Sequence, residues 1–220
     1  MSVAEKLLQI KAEIPENVRL VAVSKFHPAE MIMEAYDAGQ RIFGENHAQE
    51  IKEKQKILPN DIEWHFIGPL QTNKVKMIAP FISMIESVDS IRLLAEISKQ
   101  AVHFNRTIPI LLEIHIAKEE AKHGFTCDEA CELLKKPLEF PNIHVRGLMG
   151  MATLTNDEAE IAAEFKQLSG LFNELKSTVF SNDSTFDTLS MGMSDDYKIA
   201  IAQGSNTVRI GTAIFGERQY

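Results

Sequence analysis

Cysteine is scarce in this chain, and long apolar runs are missing. Only Cys127 and Cys131 occur in 220 residues. Four apart on a predicted helix, they share a face. No His or Cys pair sits nearby at matching spacing, and a structural metal site needs three or four ligands. They read as reduced thiols, with no metal. No stretch approaches the ~20 apolar residues a bilayer crossing requires. The N-terminus, MSVAEKLLQIKAEI, mixes charges at helical spacing and lacks the apolar core of a signal peptide. The expected location is the cytoplasm. Positive charge is in deficit: 23 Lys and Arg face 31 Asp and Glu, a net charge of −8. That argues against a general nucleic-acid binder and against an anionic membrane surface. There is no GxGxxG, no GxxxxGK[ST], no repeat, no low-complexity tract and no internal linker. What is present is 45% hydrophobic residues, which excludes disorder. A single domain over residues 1–220 is expected.

Helix-like and strand-like segments alternate throughout. An amphipathic helix over Ala4–Ile14 precedes a buried strand, Val18–Ser24. Pro28 opens a helix that Gly39 ends. Arg41–Gly44 is a short strand, and Asn46 is placed to cap a helix reaching Leu58. Further strands are expected at 62–67, 82–88, 108–116, 143–148, 188–191 and 207–210. Helices are expected at 74–78, 90–104, 127–135, 157–179 and 195–203. The strands are continuously apolar, as strands covered on both faces are. Eight βα units suit a (β/α)8 TIM barrel with an extra N-terminal helix. A doubly wound open sheet is the alternative, but the turn after the first strand is S-K-F-H-P, without its usual glycines.

In a barrel, chemistry gathers at the carboxyl ends of the strands. Lys25 follows a wholly apolar strand, where desolvation lowers an amine's pKa and favours the neutral form that condenses with an aldehyde. The plainer reading is a lysine reaching out to solvent. Ser190-Met191-Gly192-Met193-Ser194 precedes a helix, with Ser194 at the expected N-cap. A helix start with free amides binds phosphate. Ordinary capping also explains Ser194, and Asp195 and Asp196 already put negative charge there. Gly211 and Thr212 after the last strand offer more amides and a hydroxyl, and phosphate sites commonly use these two loops. Barrel closure puts Lys25 beside Gly211, an amine next to a phosphate cup, which describes a pocket for a phosphorylated aldehyde. Arg209 shares Gly211's side of its strand. It reads either as one half of a salt bridge or as a hydrogen-bond donor to a cofactor's pyridine nitrogen, where it would leave the ring a weak electron sink.

These residues lie in stretches that resemble a known family. V-A-V-S-K-F-H-P, F-G-E-N followed by Q-E, W-H-F-I-G-P-L-Q-T-N-K, S-V-D-S, G-L-M, L-S-M-G-M-S-D-D and V-R-I-G-T-A-I-F-G occur in order across the chain. Together they resemble the pyridoxal 5′-phosphate (PLP) homeostasis protein family. The resemblance implies one barrel of the alanine racemase N-terminal type, with PLP as a Schiff base on Lys25. It implies that Ser194, Gly211 and Thr212 hold the phosphate, helped by Ser190 or the backbone near Met193. Arg209 should face the pyridine nitrogen and Asn46 the ring. Lys74 and Lys122 match rim lysines of the family. Two places depart from its pattern. His47 stands where tyrosine is common, and Glu113 and His115 replace neutral polar residues on the fifth strand.

The implied role is PLP homeostasis or delivery, with PLP-dependent apoenzymes as recipients, little or no catalysis, and a monomer. The alternative is an amino-acid racemase-like enzyme. That chemistry needs a second acid or base, often from an added domain, and the chain ends at Tyr220 soon after the eighth strand. His65, His115 and Tyr197 are the candidates within the barrel. A cofactor-free barrel acting on a phosphorylated sugar through a Lys25 imine is the third reading. A serine hydrolase is excluded, because Gly192-Met193-Ser194-Asp195-Asp196 lacks the second glycine of GxSxG. The seven histidines are scattered, and His65 and His115 read as pocket-wall or hydrogen-bonded barrel residues, not metal ligands.

Overall fold

Apolar stretches rich in β-branched residues form strands here, and the amphipathic stretches between them form helices. The computed structural model describes residues 1–118, 123–136 and 139–217. The order is α1 (Val3–Glu13), β1 (Arg19–Val23), α2 (Ala29–Asp37), β2 (Ile42–Glu45), α3 (Ala48–Ile57) and β3 (Glu63–Phe66). A 3-10 turn (Thr72–Lys74) then runs into α4 (Val75–Ile78). Next come β4 (Met84–Val88), α5 (Ile91–His103), β5 (Ile108–Glu113), α6 (Cys127–Leu134), β6 (Ile143–Met149) and α7 (Glu158–Ser177). The chain continues through β7 (Thr188–Ser190), α8 (Tyr197–Ala202), β8 (Thr207–Ile210) and α9 (Thr212–Phe215).

The strands pair in chain order, and β8 pairs in parallel with β1, closing the barrel. The open-sheet alternative fails on that pairing. Side chains alternate across each strand. Leu20, Ala22, Phe43, Trp64, Phe66, Val208 and Ile210 point outward into the core beneath the helices. Inside the barrel, Met84, Leu111 and Met149 form a small separate cluster. Above it the interior turns polar. Helix starts follow capping chemistry: Ser2 with Glu5 and Thr126 with Glu129 form capping boxes on α1 and α6. The extra first helix packs on α2 and α9.

Three expectations need correction. Asn46 does not cap α3. His47 holds the cap position without a side-chain bond, and Asn46 instead packs on Gly68, where an added Cβ would sit 2.6 Å from its Cγ. Ser194 does not cap α8. That helix starts later, with Asp196 in the cap position. The four-residue α9 was not expected, because one turn is too short to show a period.

Candidate functional site

Parallel pairing of β1 and β8, with Ala22 opposite Ile210, sets the two following turns side by side. Lys25 is half-buried in the first. Gly211 lies in the second, so close to β1 that an added Cβ would stand 3.2 Å from both Cβ and O of Val23. Glycine here lets two strand ends approach. Gly192, at φ 90°, does the same for α8, since its missing Cβ faces Ala200 and Tyr197.

The loops after β7 and β8 are tied together. The Gly211 N–H donates to Ser194 Oγ at 3.3 Å. The Met193 N–H donates to Asp196 Oδ1 at 2.5 Å. Both amides expected to serve phosphate thus already have oxygen partners, one of them a carboxylate. Burial pushes the Asp196 carboxyl up against its bond from Met193 and the charge of Arg209. Thr212 is exposed at the start of α9.

Arg209 is buried inside the barrel. Its guanidinium donates to Ser190 O at 2.9 Å, Ser190 Oγ at 2.6 Å and Gly150 O at 3.0 Å. Ser190 Oγ donates in turn to Glu86 Oε2 at 2.6 Å, which lies 3.9 Å from Arg209. His65 Nδ1 is 2.6 Å from Glu86 Oε1. Ser190 is buried, and its hydroxyl serves Arg209 and Glu86. Burial raises the Glu86 carboxyl, but the His65 bond and the charges of His65 and Arg209 outweigh it, so the net shift is downward.

A second buried cluster lies on the outer side of the sheet. Ser24 Oγ donates to Glu45 Oε1 at 2.6 Å. The Lys54 ammonium, from α3, donates to Ser24 O at 2.8 Å, Glu45 Oε1 at 2.8 Å and Glu50 Oε1 at 2.6 Å. Glu45 Oε2 is buried without a partner. Burial pushes the Glu45 carboxyl up to about 7, against Lys54 and with help from Glu50.

The remaining candidates separate. Asn46 Oδ1 is buried and unpartnered; with His47, Gln71 and Lys74 it lines a rim cavity of about 480 Å³. Lys74 is exposed, and Lys122 lies outside the described residues. Glu113 is buried at the inner end of β5, its carboxyl raised by burial and by Asp89. His115 is half-buried just beyond. Tyr197 sends its hydroxyl to Glu13 on α1 at 2.7 Å, so it does not face the mouth. Glu86 and Lys54 carried no motif that singled them out, and Glu50 stood only as the last residue of the Q-E pair after F-G-E-N. A charged residue inside an apolar strand was the only sequence signal for Glu86.

The sequence family described as "Alanine racemase, N-terminal domain" matches residues 2–219. The pyridoxal phosphate homeostasis protein of Pasteurella multocida (strain Pm70) is 41% identical, over 100% of this chain and 99% of that protein. The protein of the same name from Escherichia coli (strain K12) is 39% identical, over 99% and 97%. This chain belongs to the pyridoxal phosphate homeostasis protein family. A solved member-like structure, PipY of Synechococcus elongatus with PLP bound, superposes with a TM-score of 0.87 at 36% identity, over 98% of this chain and 100% of that one. Alanine racemase from Bartonella henselae matches at a TM-score of 0.73 and 16% identity, over 98% of this chain and 59% of that one. At that identity the likeness is one of fold, the barrel without the enzyme's remaining length.

Proposed function

We propose that this protein binds PLP as a Schiff base on Lys25 and serves intracellular PLP homeostasis, passing the cofactor to PLP-dependent apoenzymes with little or no catalysis of its own. The observation that carries this is the β1–β8 closure, which sets Lys25 beside Gly211 and Thr212. The name shared by its relatives and the PLP-bound PipY structure support the same ligand. The residues fit such a group. A partly buried amine, an adjacent two-loop cup, a buried guanidinium and the orphaned Asn46 Oδ1 suit a flat, anionic aldehyde. When bound, PLP supplies an aldehyde carbon that holds an amine and a ring that draws electrons.

In this reading Ser194, Gly211 and Thr212 hold the phosphate, with the Met193 amide in reach once Asp196 yields it. Asn46 lies toward the ring. Arg209 faces the ring nitrogen as a cation with no proton to give at neutral pH. A ring without a protonated nitrogen is a weak electron sink, which favours holding over turnover. We place the protein in the cytoplasm as a monomer, the latter checked by size exclusion with light scattering.

The deciding experiment is borohydride reduction of the purified protein. A yellow preparation should bleach, with the pyridoxyl label on Lys25 by peptide mass. Lys25→Ala should abolish that label. A colourless protein, or a label elsewhere, overturns the reading, and robust turnover of D- or L-amino acids overturns the non-catalytic part. Replacing Asp196 with Asn removes a carboxylate from the cup. It should tighten PLP binding by about three- to tenfold, and weaker binding in a fluorescence titration would refute the cup as drawn.

A further inference from the structure

The turn carrying Lys25 is held from both sides by one buried cluster. On its N-terminal side, the Ser24 N–H donates to Gly44 O at 3.0 Å and Ser24 Oγ to Glu45 Oε1 at 2.6 Å. Ser24 O accepts from Lys54 Nζ at 2.8 Å. On its C-terminal side, the Phe26 N–H donates to Glu50 Oε1 at 2.6 Å. That same carboxylate oxygen accepts from Lys54 at 2.6 Å. Phe26 has φ 66°, a left-handed backbone that a bulky residue adopts only when its surroundings impose it. The Glu50 carboxylate on its amide, the His27 N–H donating to Ser24 O at 3.1 Å and the His47 ring 5.0 Å from the Phe26 ring are among those surroundings.

We propose that Glu45, Lys54 and Glu50 form a positioning device for Lys25, clamping the backbone on both sides of the lysine so that its amine is aimed into the barrel mouth. None of the three needs to touch cofactor. Lys54 is the hub: three bonds run from its ammonium, one to Ser24 O and one to each carboxylate, and through Glu50 it reaches the far side of the turn. The cluster holds two carboxylates against one ammonium. Its titratable members facing Glu45 are Lys54 and Glu50, both on α3, and Ser24, just after β1, completes its polar contacts. Glu45 and Lys54 are buried, so the cluster keeps a proton to higher pH than a surface glutamate would. Glu45 Oε2, the oxygen without a partner, is the one able to carry it. Ionisation of Glu45 then changes the tension on Ser24, and Lys25 responds.

The proposal rests on the reading of Lys25 as the anchor, so its test has one arm without PLP. Cofactor-stripped protein is methylated with formaldehyde and cyanoborohydride across a pH series, and modification of Lys25 is read by peptide mass against other lysines. A second arm traps PLP on Lys25 with borohydride. In the wild type both profiles should carry an inflection near pH 7, where Glu45 ionises. Glu45→Gln should remove the inflection. Ser24→Ala cuts one tie and keeps the ion pairs. It should slow Lys25 modification by roughly tenfold, as a sub-ångström misplacement does, and leave the inflection. If Glu45→Gln does not fold, Ser24→Ala decides alone. Folded variants with wild-type rates and profiles in the formaldehyde arm overturn the proposal. Failure of the PLP arm alone in the wild type overturns the anchor reading and leaves the formaldehyde arm to judge the clamp.

Discussion

Glu45 and Glu86 are both fully buried glutamates, two strands apart, and each accepts a serine hydroxyl at 2.6 Å. Their carboxyls nonetheless shift in opposite directions. Outside the sheet, Glu45 shares one ammonium with a second carboxylate, so burial wins and its value rises to about 7. Inside the barrel, Glu86 stands between a guanidinium and an imidazole, and its value falls despite burial. Depth is equal in the two cases, so the count of opposing charges decides the sign. The inner cluster holds Arg209 through Ser190, Gly150 and Glu86. The outer one has an oxygen to spare and is poised to change charge near neutrality.

That contrast can be broken most directly at Glu86. Glu86→Ala leaves a buried guanidinium and a buried serine without their acceptor. A loss of about 3–5 kcal/mol is expected by urea denaturation; a loss under about 1 kcal/mol would mean the interior is wetter than described. Next is the pH dependence of stability. The folded Glu45 binds its proton up to about 7, whereas the unfolded chain releases it near the ordinary 4.5. Across that window rising pH therefore weakens the fold, by roughly 3 kcal/mol in total. Glu45→Gln should lack this fall, seen as the difference between wild-type and variant unfolding curves across that range. Glu86 has the opposite sign. Its contribution is complete above the ordinary carboxylate range and is lost as pH falls through its lowered value. The smallest test compares the two serines. Ser190→Ala should cost about 1.5–3 kcal/mol, since its hydroxyl bridges two charged groups, and Ser24→Ala about 1 kcal/mol. Equal costs by denaturation would erase the distinction between the clusters.

The architecture was legible in the residues because strands covered on both faces must be apolar throughout, and those runs stood out. Thr207–Ile210 formed as read. Cap assignments at Asn46 and Ser194 failed for a local reason: in each case the chain runs past the polar residue before it turns helical. The site was half legible. Lys25, Arg209, Gly211 and the loop after β7 are marked by residue types out of place in their surroundings. The contacts among them are not. Ser190 meets Glu86 only because the barrel's curvature carries β4 toward β7, 104 positions away in the chain. Lys54 reads as one more surface lysine on a charged helix until β2 is folded beneath it. The fold class came from pattern; these partnerships come from register.

The β1–β8 junction also bears on how the molecule comes into being. Residues 19–22 find their partners at 207–210, almost the full length of the described chain away. Contacts that distant in sequence are slow to form. During synthesis on a ribosome, β1 cannot gain this partner until the last strand has emerged, so the turns carrying Lys25 and Gly211 come together only at the end.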